Sequence, residues 1–168
     1  EVTEMKQKAM DTKLTVRPII GCLTHSHFWE GPCRAGRRED MTQEAEAKAA
    51  DAAFAAAQET LRQVSDKVEL LPAIDARYDE KFVVSEQVWK QIEEDIDKVD
   101  FFLCMNWRIP RLERYRKPVV ILQNGNEGID FAAYCNDIGL EAHVAMNIQD
   151  FNETAQYLWA VSYTHLTL

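Results

Sequence analysis

The 168-residue sequence predicts a three-layer α/β/α domain built on a five-stranded parallel sheet. Apolar stretches of strand length alternate along the chain with segments whose apolar residues recur at helical spacing, and this alternation is typical of consecutive βα units. Two of the strand-length stretches, FFLC and VVIL, are apolar at every position. Such continuity is expected of strands that helices cover on both faces of a sheet.

The composition excludes several classes of protein. The formal net charge of −9 argues against a nucleic-acid partner, because such a partner needs a basic surface. No apolar run approaches the roughly 20 residues of a membrane-spanning helix, so no membrane partner is expected. The four cysteines form no CxxC pair, which favours reduced, buried thiols and a cytoplasmic location.

The first βα unit begins with TVRPIIGCL, residues 15–23, which we predict to be a strand because β-branched residues are frequent in it. A long helix over about residues 40–64 follows, with Asp40 or Thr42 as its N-cap. Nine alanines between positions 45 and 57 favour the helical state and let the helix lie close to a sheet or to another helix. The second predicted strand is KVELLPAI, residues 67–74.

The later elements continue the alternation. They comprise a helix over residues 86–99 with Ser85 as its cap, strands over 100–106, 117–124 and 140–147, and helices over 128–139 and 150–161. Gly139 suits the end of its helix, because glycine readily adopts the left-handed conformation found there. Strand order 2-1-3-4-5, the flavodoxin-like arrangement, is the best match to five such units.

Three segments are distinguished along the chain. Residues 1–15 are predicted to be a polar extension, and residues 16–161 the α/β domain. Back-translation of the last residues, VSYTHLTL, resembles a transposase adapter used in preparing sequencing libraries. We therefore interpret residues 162–168 as a non-native tail and the chain as a fragment, and we exclude His165 from the candidate sites.

Polar side chains follow the predicted strands, and ligands of such folds bind outside the carboxyl ends of the strands. Amides, aromatic faces and arginine guanidinium groups suit neutral polyhydroxylated ligands. Polar residues also follow most strands simply because loops are exposed to water. Asp75 and Arg77 are predicted to follow the second strand. The candidate sugar-binding residues are His25, His27, Asn106, Trp107, Arg108, Asn124, Asn126, Glu127 and Asn147.

Other clusters have simpler interpretations. Cys22, His25, His27 and Cys33 are zinc-ligand types, but their spacing matches no standard site, so no metal site is assigned. The loop QNGNEG offers glycines at a helix N-terminus, but Glu127 would repel an anion, and a tight turn is the simpler explanation.

The loop GPCRAGRRED carries three arginines that could bind a carboxylate, a phosphate or a neighbouring subunit. The adjacent Glu39 and Asp40 offer Arg34, Arg37 and Arg38 local partners, which favours a solvated, self-neutralised loop.

Three stretches resemble the N-terminal part of the L-fucose and L-arabinose isomerase superfamily. They are RPIIGCL with the following GRRED loop and alanine-rich helix, then VDFFLCMN, then the region from RYRKPVVILQNGNEG to DFNETAQYLWAV. The resemblance spans residues 17–161. THSHFWEGP, after the first strand, departs from it.

The resemblance implies an oligomeric aldose–ketose isomerase that uses a divalent metal, usually Mn²⁺. It places the metal ligands and acid/base carboxylates in later domains, so no catalytic residue and no cofactor is assigned to this chain. By the same resemblance, residues 34–38 and the strand-end amides would border a neighbouring subunit. The alternatives are a free-standing carbohydrate-binding or sensing module, and an isomerase-like protein that has lost catalysis.

Overall fold

The computed structural model describes residues 12–23, 42–78, 83–106, 109, 111–122 and 126–166. Strands and helices alternate through these residues. In chain order they are β1 (Leu14–Leu23), α1 (Gln43–Leu61), β2 (Val68–Leu70), β3 (Ile74–Tyr78), α2 (Glu86–Glu94), β4 (Phe101–Met105), β5 (Val119–Leu122), α3 (Asn126–Asp137), β6 (Ala142–Ala145) and α4 (Ile148–Leu166), with single 3-10 turns at Ile96–Lys98 and Leu112–Tyr115.

The strands form one sheet in which all five pairings between named strands are parallel. The order is β2-β1-β4-β5-β6, and β3 pairs with β1 on the same side as β2. β2 and β3 are thus two pieces of one interrupted ribbon, and with that ribbon counted once the order is the predicted 2-1-3-4-5. The fold class is confirmed, with six strands rather than five.

The interruption lies opposite Pro18, near the middle of β1. In a parallel pair, alternate residues of a strand direct their backbone groups to opposite neighbours. Thr15 accepts from Asp100 beside β4, whereas Val16 accepts from Leu71 on the β2–β3 side. Pro18 therefore faces the β2–β3 side, where it has no N–H to donate. The ladder breaks there: the pairing of β1 with β2 ends at Val16, and its pairing with β3 starts at Ile19.

The side chain of Arg17 compensates for this break. It is buried, and its Nη1 donates to the carbonyl oxygen of Pro72, in the gap between β2 and β3, at 2.7 Å. Its Nη2 donates to Asp95 Oδ2 at the end of α2, also at 2.7 Å. The guanidinium thereby bonds a carbonyl in the gap where Pro18 has no N–H to donate.

Helices cover both faces of the sheet. α1 and α4 pack on one face, with Ala50, Ala57 and Phe151 among the buried contacts. α2 and α3 pack on the other, with Trp89 and Phe131 among theirs. The central strands β4 and β5 are buried on both faces except at Leu122, which is partly buried, as their continuous apolar sequences predict.

The helix ends follow the predicted capping signals in part. Thr42 is the N-cap of α1, and its Oγ1 accepts from the N–H of Ala45 at 3.1 Å. Ser85 occupies the N-cap of α2 but makes no side-chain cap. α2 ends at Glu94 rather than continuing to residue 99, because the chain tightens into a 3-10 turn before β4.

Gly139 ends α3 as predicted, with φ of +73°. The N–H of Leu140 donates to Cys135 at 2.8 Å and that of Gly139 donates to Asn136 at 3.0 Å, the bonding pattern of a Schellman motif. Asn136 then holds the next strand, because its side-chain amide bonds both the N–H and the carbonyl of Ala142 at 3.1 Å.

Two element bounds differ from the predicted segment boundaries. β1 begins at Leu14, within the segment predicted to be an extension, and α4 continues to Leu166, past residue 161. None of the helices among the described residues combines the length and apolar composition that crossing a bilayer requires.

Replacing Gly139 by alanine should destabilise the chain by about 1–2 kcal/mol, because an L side chain is strained in the left-handed conformation. No atom lies within 4 Å of the position of the added Cβ, so backbone strain, and not a steric clash, accounts for the expected loss of stability. Gly139→Asn should lose less, since asparagine tolerates this conformation. Thermal and urea unfolding of both variants measure the effect, and equal losses would contradict a conformational origin.

Asp95 should make stability depend on acid pH. Hydrogen bonds from Lys98 and from Arg17 hold the pKa of Asp95 below its usual range. The group therefore stabilises the fold above its unfolded pKa, near 4, and this contribution disappears as the pH falls through the lower folded value. We expect Asp95→Asn to flatten the decline of unfolding free energy between pH 5 and pH 3, whereas Asp97→Asn, an exposed neighbour, should leave it unchanged.

Candidate functional site at the carboxyl ends of the strands

A groove of about 930 Å³ opens beside the carboxyl ends of the strands, on the face that α1 covers. This volume lies in the range of small-molecule sites. Its wall comes from α1, and its floor from the ends of β1, β4 and β5 and from the turn between β6 and α4. The described lining residues are Gly21, Cys22, Ala49, Ala50, Ala53, Ala56, Ala57, Thr60, Gln63, Met105, Asn106, Leu122, Met146, Asn147 and Ile148.

One face of α1 forms the wall because small residues recur there at helical spacing. Ala49, Ala53 and Ala56 are followed by Thr60 and Gln63, in steps of three and four that keep one side of a helix. Methyl side chains leave open the space that larger residues would fill. The groove is therefore apolar along the alanines, and Thr60 and Gln63 add polar groups farther along the same side.

Asn106 supplies an amide at the end of β4. Its φ of +65° lies in the left-handed region, which asparagine tolerates better than most residues do. The turn exposes the side chain at the mouth of the groove, beside the thiol of Cys22.

Asn147 supplies a second amide, at the start of α4. Its Oδ1 accepts from the N–H groups of Gln149 and Asp150, at 2.9 and 3.0 Å. Asp150 Oδ2 in turn accepts from the N–H of Met146 at 3.1 Å. The helix N-terminus is thus capped by its own side chains, which leaves the Nδ2 hydrogens of Asn147 as the groups that can donate into the groove.

Cys22 lies on the floor and is only 4% exposed. Its Sγ is 3.8 Å from the carbonyl oxygen of Ala50 on the wall helix. Burial and the nearby charge of Asp75 raise the pKa of the Cys22 thiol, while a hydrogen bond with Asn106 and the charge of Arg77 act in the opposite direction. Cys22 is therefore a neutral polar group of the floor at neutral pH and not an activated nucleophile.

An ion-pair cluster lies next to the floor. Arg77 on β3 donates from Nε and Nη2 to Asp75 Oδ2, at 2.9 and 2.8 Å, and from Nη2 to Asp51 Oδ1 on α1, at 2.5 Å. The hydrogen bonds to Asp75 and Asp51 raise the pKa of Arg77. The prediction that Asp75 and Arg77 follow the second strand is wrong, because they lie within β3, and the ribbon extends four residues beyond the predicted end at residue 74.

The structure brings two of the predicted sugar-binding residues together, Asn106 and Asn147, which both line the groove. Asn126 and Glu127 lie in the first turn of α3, but their side chains are outside the described part of the structure. The remaining candidates also lie outside the described residues: His25, His27, Trp107, Arg108 and Asn124, together with Arg34, Arg37 and Arg38 of the predicted interface loop.

The alanine wall was missed as part of a site. Its signal was present in the spacing of Ala49, Ala53 and Ala56, but alanines at such spacing usually pack against another element. Among the described residues, no three His, Cys, Asp or Glu side chains come together in an arrangement that could hold a metal ion.

Comparisons of the chain with protein-family models, with curated proteins and with solved structures gave no match in any of the three. The fold and the groove define the class: a three-layer α/β/α domain of flavodoxin-like type with an open groove at the carboxyl ends of its parallel strands.

The buried thiols should resist alkylation in the folded chain, in an order that follows their burial. Burial raises the pKa of Cys104 to about 12 and that of Cys135 to about 11. At pH 7.5 we expect iodoacetamide to label Cys22 slowly and Cys104 not at all, and urea to make both reactive. Peptide mass spectrometry over time measures each site, and rapid labelling of Cys104 in the native chain would contradict its assigned burial.

Proposed function

We propose that the groove binds a neutral, polyhydroxylated small molecule, and that the chain is the N-terminal α/β domain of an aldose–ketose isomerase-like protein of the L-fucose and L-arabinose isomerase type. The observation that carries the binding proposal is the lining itself. None of the fifteen described lining residues is charged, although charged residues make up 28% of the chain. An uncharged lining with directional amides favours a ligand that hydrogen-bonds without carrying charge.

The start of α4 argues against an anionic ligand. A helix N-terminus attracts phosphate when its N–H groups are free. Here Asn147 and Asp150 already accept from the N–H groups of Gln149, Asp150 and Met146, and the carboxylate of Asp150 would repel a phosphate. A free sugar avoids that repulsion, whereas a sugar phosphate does not.

A second candidate is a carbohydrate-binding or sensing module that acts without further domains. It is favoured by the fact that every described residue of the groove belongs to this one domain. The gene beyond residue 160 distinguishes the two candidates. Several hundred further codons with Glu, Asp and His metal ligands would support the isomerase, in which Mn²⁺ and a homo-oligomeric interface are expected, and an early stop would support the module.

Binding is tested by titrating the chain with L-fucose, L-arabinose and D-glucose, with glucose 6-phosphate as the charged comparison. We expect saturable shifts of the side-chain amide signals of Asn106 and Asn147 in ¹H–¹⁵N spectra with at least one free sugar, and weaker shifts with the phosphate. If no sugar moves these signals at tens of millimolar, the binding proposal is wrong.

Two variants separate binding from folding. Asn147→Asp keeps the oxygen that caps α4 but removes the Nδ2 donors, so affinity should fall about fivefold to tenfold, as for one lost hydrogen bond, without loss of stability. Asn106→Gly keeps the left-handed backbone and removes the amide. Gln58→Glu, an exposed amide-to-acid change on α1 away from the groove, is the matched control and should bind as the parent chain does.

A further inference from the structure

We infer that Arg77 is a positioning residue that holds the wall helix α1 in place and thereby sets the width of the groove and the size of ligand it accepts. The part of this inference that concerns ligand size rests on the proposed binding function. The part that concerns the position of α1 rests on the contacts of Arg77 alone.

Arg77 links the sheet to the wall. It is paired in register with Cys22, a floor residue, so it lies level with the groove along the strands. Its guanidinium bonds Asp75 on its own strand and Asp51 on α1. Asp51 lies in the turn of α1 that also carries the lining residues Ala49, Ala50 and Ala53.

The wall depends on such a link because its apolar contacts are small. α1 packs Ala50, Ala53, Phe54, Ala57 and Leu61 against the core on this face, so three of these five side chains are single methyl groups. Methyl groups permit close approach but interlock little with the facing surface, and a helix packed through them can shift with little steric resistance. A directional polar contact is then what fixes the helix along and across the sheet.

A second polar contact holds the C-terminal end of the helix. Asn152 on α4 accepts from the N–H of Ser65 at 2.9 Å and donates to the carbonyl oxygen of Gln63 at 3.3 Å. The wall is therefore held at two points, by Arg77 at Asp51 near its middle and by Asn152 beyond its end. The lining residues of α1 lie between or beside these two anchors, so release of the Arg77 anchor would widen the groove at its Cys22 end.

The planar guanidinium suits this role. It donates to two carboxylates on two elements at once, in a fixed geometry that a lysine ammonium does not reproduce. Arg77→Lys should therefore restore part of the positioning, whereas Arg77→Met, of similar length, should restore none.

Alkylation of Cys22 reports the position of α1 without any ligand, because the carbonyl of Ala50 lies over its thiol. Because the charge of Arg77 lowers the pKa of the Cys22 thiol, alkylation rates are compared per thiolate, with the thiolate fraction of each variant taken from the pH dependence of its alkylation. On this scale we expect Arg77→Met and Asp51→Ala to increase the alkylation rate by about threefold to fivefold, the effect of losing a partly exposed ion pair, and Arg77→Lys to fall between. Asp51→Ala ensures a folded variant, because it places a strong helix former at an exposed helical position. Glu59→Ala is the matched control on the same helix, since the ion pair of Glu59 within the described part of the chain is with Arg62, one turn away, and its rate should match the parent chain.

Titration with L-arabinose, D-glucose and maltose then tests ligand size. The affinity for maltose relative to L-arabinose should rise in Arg77→Met and Asp51→Ala, and Arg77→Lys should return it toward the parent ratio. Alkylation rates equal to the parent in both variants would overturn the inference, whatever the sugar affinities are. Faster alkylation with an unchanged ratio of maltose to L-arabinose affinity would overturn the role in ligand size. Faster alkylation in a chain whose parent form binds no sugar would support the positioning role and overturn the proposed binding function instead.

Discussion

The hydrogen bond that Pro18 cannot donate determines much of the architecture around the groove. β1 is the strand to which β2, β3 and β4 all pair, and a proline there leaves one side of its ladder without a donor. The sheet accommodates this by breaking the neighbouring ribbon at Leu71–Ala73 and by placing the Arg17 guanidinium on the Pro72 carbonyl. β3 resumes with Ile74 opposite Ile19, which brings Arg77 level with Cys22 and within reach of α1.

The fold class and strand order could be predicted because they depend on local signals: buried strands that are apolar throughout, helical periodicity, the cap at Thr42 and the glycine at 139. The broken ribbon could not be predicted in this way. The sequence showed Pro18 and Pro72, but which neighbour Pro18 faces depends on the pairing register, and register is a property of two strands together. The length of β3 and the positions of Asp75 and Arg77 within it depend on the same register.

The site, like the fold, could be predicted from the sequence only in part. Asn106 and Asn147 were predicted because polar residues that follow parallel strands share one edge of the sheet. The wall was not predicted, since a stripe of alanines fits a close helix–sheet contact as well as it fits an open groove. Which of the two occurs depends on where α1 lies over the sheet. That position depends on Arg77, 26 residues beyond its partner Asp51, and on Asn152, 89 residues beyond its partner Gln63.

The groove and its anchors follow from one physical compromise. A wall of larger side chains would interlock with the sheet and need no polar anchor, but it would fill the space that a ligand occupies. A wall of alanines keeps the space and gives up part of the interlocking, so hydrogen bonds at its middle and beyond its end supply the missing constraint. The charged groups that do so, Arg77, Asp51 and Asp75, lie behind or beside the lining and not in it. The site can thereby use charge to fix its shape while the surface offered to a ligand stays uncharged.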